Sequence, residues 1–305
     1  MNILDAIGNT PLVQLQRVAT GDINVKLEFM NPTGSMKDRA ALGMISAPEQ
    51  DGRLKPGDTV VEYTGGSTGA SLALVCSVKG YPIHIVTSDA FSQEKRDQMI
   101  AFGAELTIVP AEGGLTTKKL ILDMVETARK LAEDPSWYWT NQLSNPDTIA
   151  GYYGLGEEIW RETNGEVDVF VQSVGTAASI RGVAEVLKRY KPDIRIVAVE
   201  PGESPVLSGG QPGPHKIEGV GIGYTPPLWK EGLVDEVIPI PTADAKAMAR
   251  RLAREEAIFA GTSSGANILA ANQIAERLGP KAKIVTLMVD SGLKYMNTDV
   301  YRSPM

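Results

Sequence analysis

A chain of 305 residues, 43% hydrophobic and 22% charged, can bury a large core and divides most naturally into two domains. Its net charge of −7 argues against nucleic acid or an anionic membrane as the main partner, and no apolar run is long enough to span a bilayer, so the cytoplasm is the expected location. The single cysteine excludes a disulfide framework and a Cys-cluster metal site; the two histidines, His84 and His215, lack the partners of a Ser-His-Asp triad or a zinc centre, and no metal is expected.

In chain order, the first informative stretch is Asn31-Pro-Thr-Gly-Ser-Met-Lys-Asp-Arg39. Ser35 and Asp38 form a Ser-x-x-Asp cap ahead of a helical run over 39–45, so Met36, Lys37 and Asp38 are expected as the first helical residues. There the helix dipole disfavours an ammonium by about 0.3 to 1 kcal/mol, and burial would add to that, favouring a neutral, nucleophilic Lys37. By local pattern alone a solvated lysine is the commoner outcome.

Residues 59–63 read as a strand, Thr64-Gly-Gly-Ser-Thr-Gly69 as a turn and 70–78 as a helix, in which Cys76 shares an apolar face with Leu72 and Val75 and is expected as a buried structural thiol. Strand patterns recur over 83–87, 106–109, 167–174, 194–200 and 284–288. Gly175-Thr-Ala-Ala-Ser179 follows the strand at 167–174 and precedes a helix over 180–190, and the Gly- and Pro-rich stretch 201–227 reads as a long functional loop. Strands alternating with helices indicate an α/β protein with mostly parallel sheets. Each glycine turn offers N–H groups and hydroxyls at a helix N-terminus, which is an anion site by construction, although one such turn commonly only links a strand to a helix. Two of them with a primed lysine point to a ligand carrying two anionic ends and a carbonyl.

These segments, taken in order with Ile7-Gly-Asn-Thr-Pro-Leu12, Lys26-Leu-Glu28, 215–223, 252–267 and Asp290-Ser-Gly-Leu-Lys-Tyr295, resemble the cysteine synthase (O-acetylserine sulfhydrylase) and cystathionine β-synthase family of fold-type II pyridoxal phosphate enzymes. Nearly the whole chain is covered. The resemblance implies a two-domain, tryptophan synthase β-subunit-like α/β architecture with mostly parallel sheets flanked by helices. A smaller substrate-binding domain, 35–145, would be inserted into a larger domain of 1–34 plus 146–305 that anchors pyridoxal 5'-phosphate, with the cofactor between them.

By the same resemblance, Lys37 is the Schiff-base lysine, and Gly175, Thr176, Ala177, Ala178 and Ser179 hold the phosphate through backbone N–H groups and two hydroxyls. Ser263 faces the pyridine nitrogen, where a serine leaves the ring largely unprotonated and suits β-elimination; its other reading is a helix cap before 266–271, since Ser264 is adjacent. Thr64, Gly65, Gly66, Ser67 and Thr68 match the loop that grips the substrate α-carboxylate, and Gln142 matches a glutamine that assists it. The family loop usually reads Thr-Ser-Gly-Asn-Thr-Gly, so Gly65 replaces a serine, and Ser67 replaces an asparagine that bonds the cofactor's ring hydroxyl. Ala177 and Ala178 stand where the phosphate loop usually has glycines, and alanine is strained there if the backbone needs positive φ. The region 143–156 is one residue shorter than the usual pattern and lacks its histidine.

The implied reaction is β-replacement on an activated serine such as O-acetylserine, through an aminoacrylate, with sulfide or a related nucleophile as acceptor. A cystathionine β-synthase-like transferase, a cysteine desulfhydrase-like lyase and a synthase of another β-substituted alanine are the competing enzymes, and a non-catalytic binding protein of the same fold is a remote third reading. The family also implies a homodimer and, in some members, a bound serine acetyltransferase tail.

Overall fold

The computed structural model describes residues 1–114 and 117–302. Its elements begin with strands β1 (Leu12–Gln14) and β2 (Asp22–Lys26), helix α1 (Lys37–Asp51), strand β3 (Thr59–Tyr63), helix α2 (Ser67–Lys79) and strand β4 (Ile83–Ser88). Helix α3 (Gln93–Ala101), strand β5 (Glu105–Val109), helix α4 (Lys118–Leu131), strand β6 (Trp137–Trp139) and helices α5 (Asp147–Ala150) and α6 (Tyr153–Glu162) follow. The remainder comprises β7 (Val169–Ser173), α7 (Ala178–Tyr190), β8 (Arg195–Pro201), β9 (Glu236–Ile240), α8 (Thr242–Glu255), α9 (Thr262–Leu278) and β10 (Lys283–Leu287).

The described residues form two compact units, one of Met1–Ile7 with Lys37–Gly151 and one of Gly8–Met36 with the chain from Tyr152 onward. The first seven residues, expected with the larger unit, group with the smaller because the 3-10 turn Ile3–Ala6 packs on α2. Met36 was expected inside the first helix; α1 instead starts at Lys37, and the chain passes from one unit to the other at the Met36–Lys37 peptide bond.

The smaller unit is built on a parallel sheet of order β5-β4-β3-β6. Val61, Tyr63 and Val86 pack against Leu120, Met124 and Ala128 of α4 on one side, while α2, buried from Thr68 to Cys76, belongs to the other helical layer. Cys76 is fully buried there and its thiol is pushed up to about 12 by desolvation, as an inert core residue should be.

The larger unit carries six strands in the order β1-β2-β10-β7-β8-β9, with only the β1–β2 pair antiparallel. Central strand β7 is buried along its whole length, the pattern of a parallel strand covered on both faces. In each sheet one strand marks where the chain order reverses. In the smaller unit the chain leaves β3 for β4 on one side and later returns with β6 on the other; in the larger it leaves β7 for β8 and returns with β10. Ligands of open α/β sheets bind beyond the carboxyl ends of such strands, which directs attention to the turns after β3, β6, β7 and β10. Among the described residues no helix is long and apolar enough to cross a membrane.

Candidate active site

In the larger unit, the residues leading to Lys37 are pinned to the chain leaving β10. The Ser291 N–H donates to Gly34 O at 2.9 Å, Ser35 bridges Asp290, and the Met36 N–H donates to Val289 O at 3.0 Å. Gly34 lies at φ +75°, and a Cβ there would stand 3.3 Å from that of Ser291, so the bridge depends on glycine. Upstream, a buried polar network sets the approach. Asn31 accepts from the Gly8 N–H at 2.8 Å and donates to Glu28 Oε2 at 3.1 Å, while Glu28 Oε1 accepts the Thr10 hydroxyl at 2.6 Å. Lys26, fully buried, pairs with Glu158 and Glu162, each at 2.9 Å. The similar segments around Gly8, Lys26 and Asn31 thus form scaffold behind the lysine loop. Lys37 itself is half-buried as the first residue of α1.

The turn after β7 has the open N–H groups that an anion would need. The N–H groups of Gly175, Thr176 and Ala177 donate to no other described residue, and that of Ala178 reaches only Thr176 Oγ1 at 3.4 Å. Ala177 has φ +67°, the left-handed conformation that would strain an alanine, at a cost of about 1 to 2 kcal/mol. That geometry turns successive N–H groups toward one side at the head of the 13-residue α7. Gly175 admits no side chain, because a Cβ would stand 2.4 Å from Gly219 O. Ser179 accepts from Gln172 Nε2 and keeps its own proton to donate. Ser173 Oγ and Gln172 Oε1 are buried beside it without a partner among the described residues.

The long loop expected over 201–227 closes over this turn. Gly221 donates to Val174 O at 3.0 Å, His215 Nε2 lies 2.8 Å from Gly221 O, and buried Glu200 accepts from the N–H groups of Leu207 and Ser208 at 2.7 and 2.9 Å. A small cavity lined by Val174, Gly175, Glu200, Ser204, Gly221 and Tyr224 remains beneath it.

Ser263 is buried at the second position of α9. It is not the helix cap, since Gly261 takes that position with no side-chain bond, and its N–H donates to Asp290 O at 3.0 Å. Ser264 has a different task, accepting the Val289 N–H at 2.9 Å and so tying α9 to the segment that also holds Met36. Asn267, one turn on, accepts from the Ser173 N–H at 2.7 Å and donates to Leu287 O at 2.9 Å, joining the ends of β7 and β10.

In the smaller unit, the Thr64–Thr68 turn follows β3, and Gln142 follows the neighbouring β6. Gln142 grips the turn at both ends: it accepts the Thr68 hydroxyl at 2.8 Å and donates to Tyr63 O at 3.0 Å. Thr64 Oγ1 accepts the Gly66 N–H at 3.1 Å, whereas the Ser67 hydroxyl at the head of α2 bonds to no other described residue. Buried Glu62 underlies the arrangement, accepting from the Thr140 hydroxyl at 2.6 Å and from the Gln142 and Tyr63 N–H groups, each at 2.9 Å. Desolvation raises the Glu62 carboxyl to about 7 against the pull of those donors.

The description of pyridoxal-phosphate dependent enzymes as a family matches residues 3–290. The chain belongs to that family. A cysteine synthase of Staphylococcus aureus is 41% identical over 305 residues, covering 98% of this chain and 96% of that protein. The crystal structure of a cysteine synthase from Entamoeba histolytica is similar with a TM-score of 0.93 at 40% identity, covering 100% of this chain and 91% of the other. That of an O-ureido-L-serine synthase is similar with a TM-score of 0.91 at 36% identity, covering 98% and 94%.

The residues of this pyridoxal-phosphate dependent enzyme fit its cofactor. The turn at 175–179 offers open N–H groups and two hydroxyls to a dianion, and Thr262 Oγ1, next to Ser263, is buried without a partner among the described residues. Three contributors escaped the sequence reading. Phe91 and Lys95 pack against Gly65 and Gly66, and Glu62 holds Gln142. The adjacent glycines were the available signal, because glycine in such a turn marks the close approach of another group.

Proposed function

We propose that this enzyme carries out β-replacement on an activated serine, O-acetylserine or a near relative, with sulfide or a related nucleophile as acceptor, giving cysteine or a β-substituted alanine. Gln142's grip on the Thr64–Thr68 turn carries the reading, since it takes the Thr68 hydroxyl and so fixes the turn with N–H groups and the Ser67 hydroxyl open at the head of α2 for an amino-acid carboxylate. Lys37 is the residue that bonds the cofactor and afterwards takes and returns the substrate α-proton. Gly175, Thr176, Ala177, Ala178 and Ser179 hold the phosphate, and Ser263 presents an uncharged hydroxyl to the ring nitrogen. Ser67 faces the ring hydroxyl, while Thr64, Gly65, Gly66, Ser67, Thr68 and Gln142 orient the carboxylate. Bound in this way, the cofactor supplies the electron sink that makes loss of the α-proton feasible.

The residues over 37–145 then form the substrate-binding part, and the larger unit anchors the cofactor. A homodimer working in the cytoplasm completes the proposal; it would cover Met30 and Leu293, 56% and 69% exposed on the larger unit. A serine acetyltransferase tail is the partner proposed by family likeness.

The test is a visible spectrum of the purified protein titrated with O-acetylserine, followed by product analysis with and without sulfide. A substrate-dependent change of the cofactor band and formation of cysteine are expected, and Lys37→Ala should abolish both. Pyruvate and ammonia as the sole products would overturn the transferase in favour of a lyase.

A further inference from the structure

Strand β7 is buried from end to end and is apolar except for its last two residues, Gln172 and Ser173. Val169 and Val171 belong to the core shared with α9, so strand alternation puts Gln172 on the opposite face, where it meets the first turn of α7. A buried amide is costly unless its polar atoms are bonded, and this one, 1% exposed, is bonded at one end only. Nε2 donates to Ser179 Oγ, whereas Oε1 has no partner among the described residues. A serine hydroxyl has one proton and two lone pairs, and near a helix terminus it readily turns back onto the backbone. With the Gln172 N–H on one lone pair, Ser179 Oγ is an acceptor on that side and its own proton is directed elsewhere. Among the described residues nothing takes that proton, and the open N–H groups of Gly175, Thr176 and Ala177 belong to the same turn.

We propose that Gln172 is a positioning residue for the cofactor: by donating to Ser179 Oγ it fixes that hydroxyl with its proton available to the phosphate. The inference rests on the turn over 175–179 being the phosphate site. A hydroxyl that accepts an N–H is also polarised into a better donor, so Gln172 strengthens a contact that it does not itself make.

The experiment follows by absorbance the return of pyridoxal phosphate, and separately of pyridoxal, which lacks the phosphate, to the full-length protein freed of cofactor. Gln172→Met keeps the length of the side chain and removes its donor. It should weaken pyridoxal phosphate binding roughly three- to tenfold and leave pyridoxal binding unchanged. The urea midpoint should be no lower than the parent's, since a buried oxygen without a partner goes with the amide. Ser179→Ala should weaken pyridoxal phosphate binding roughly ten- to a hundredfold through loss of a hydrogen bond to a charged group, and adding Gln172→Met to it should change nothing further. Unchanged affinity in Gln172→Met, or an equal loss from it in the Ser179→Ala background, would overturn the positioning role and leave Gln172 a packing residue. Gln172→Leu carries the same comparison if the methionine variant does not fold. Ser179→Ala alone examines the underlying reading, because full affinity for pyridoxal phosphate in that variant removes its hydroxyl from the phosphate site and overturns both.

Discussion

Glu62 Oε2 accepts two donors at once, the Thr140 hydroxyl at 2.6 Å and the Gln142 N–H at 2.9 Å, from inside a fully buried site. The carboxyl is held at about 7, above its ordinary 4.5, by desolvation. The folded protein therefore keeps a proton there that the unfolded chain has released. That contribution is fully present below 4.5 and is lost as pH rises through about 7, at about 1.4 kcal/mol for each unit between the two values. Glu62→Gln should flatten the fall in denaturant stability between pH 5 and 8. Because its amide nitrogen cannot accept from these donors, it should also cost about 1 to 3 kcal/mol at pH 5. A variant with the parent's pH slope would show that Glu62 does not titrate in this range.

Ala177→Gly should stabilise. Relief of the left-handed conformation gains about 1 to 2 kcal/mol, and the added flexibility of the unfolded chain removes about 0.5 to 1 kcal/mol of it. Urea unfolding should show a higher midpoint with an unchanged slope. A lower midpoint would mean that the alanine methyl packs well enough to offset its backbone.

Gly175→Ala should do the reverse. Its Cβ meets a backbone oxygen 2.4 Å away, which cannot rotate aside, so the Gly219–Gly221 segment must move with it. A loss of about 1 to 3 kcal/mol is expected together with at least tenfold weaker cofactor retention, read by dialysis followed by absorbance. Full retention at parental stability would show that the loop yields without disturbing the cradle.

Lys26→Met should be among the most damaging single changes away from the site, since it removes the fully buried cation that Glu158 and Glu162 each contact at 2.9 Å. A loss of about 3 to 5 kcal/mol is expected, with part of it recovered in the double variant Lys26→Met, Glu158→Gln. Equal stability of the single and double variants would show that the charge left on Glu158 contributes nothing to the loss.

The architecture was legible where a pattern is local. The strand expected over 59–63 has those bounds, and the strands around 83–87 and 284–288 shift by a residue at most at either end. Strands of three residues carry too little periodicity to be read, which is why Leu12–Gln14 and Trp137–Trp139 went unnoticed, and Pro239 within Glu236–Ile240 argues locally against the edge strand it occupies. Both glycine- and hydroxyl-rich turns were visible as turns ahead of helices, and positive φ at Ala177 meets the condition under which strain was expected. Met36 was misassigned because the helix signal at Ser35 and Asp38 is local, whereas the bridge to 289–291 that extends this segment comes from the far end of the chain. For Phe91 and Lys95 the glycines at 65 and 66 signal only that some group approaches closely; which group it is depends on tertiary packing.

The bridge between Gly34–Met36 and Val289–Ser291 also imposes an order on synthesis. Strand β10 lies between β2 and β7, so until residues 283–291 have been made the middle of the larger sheet is missing and the backbone entering Lys37 lacks its bridge to 289–291. The smaller unit can gather its own strands earlier, since all four are made by residue 139. A nascent chain can therefore assemble the smaller unit while the backbone before Lys37 still lacks its bridge, which forms only when residues 289–291 arrive.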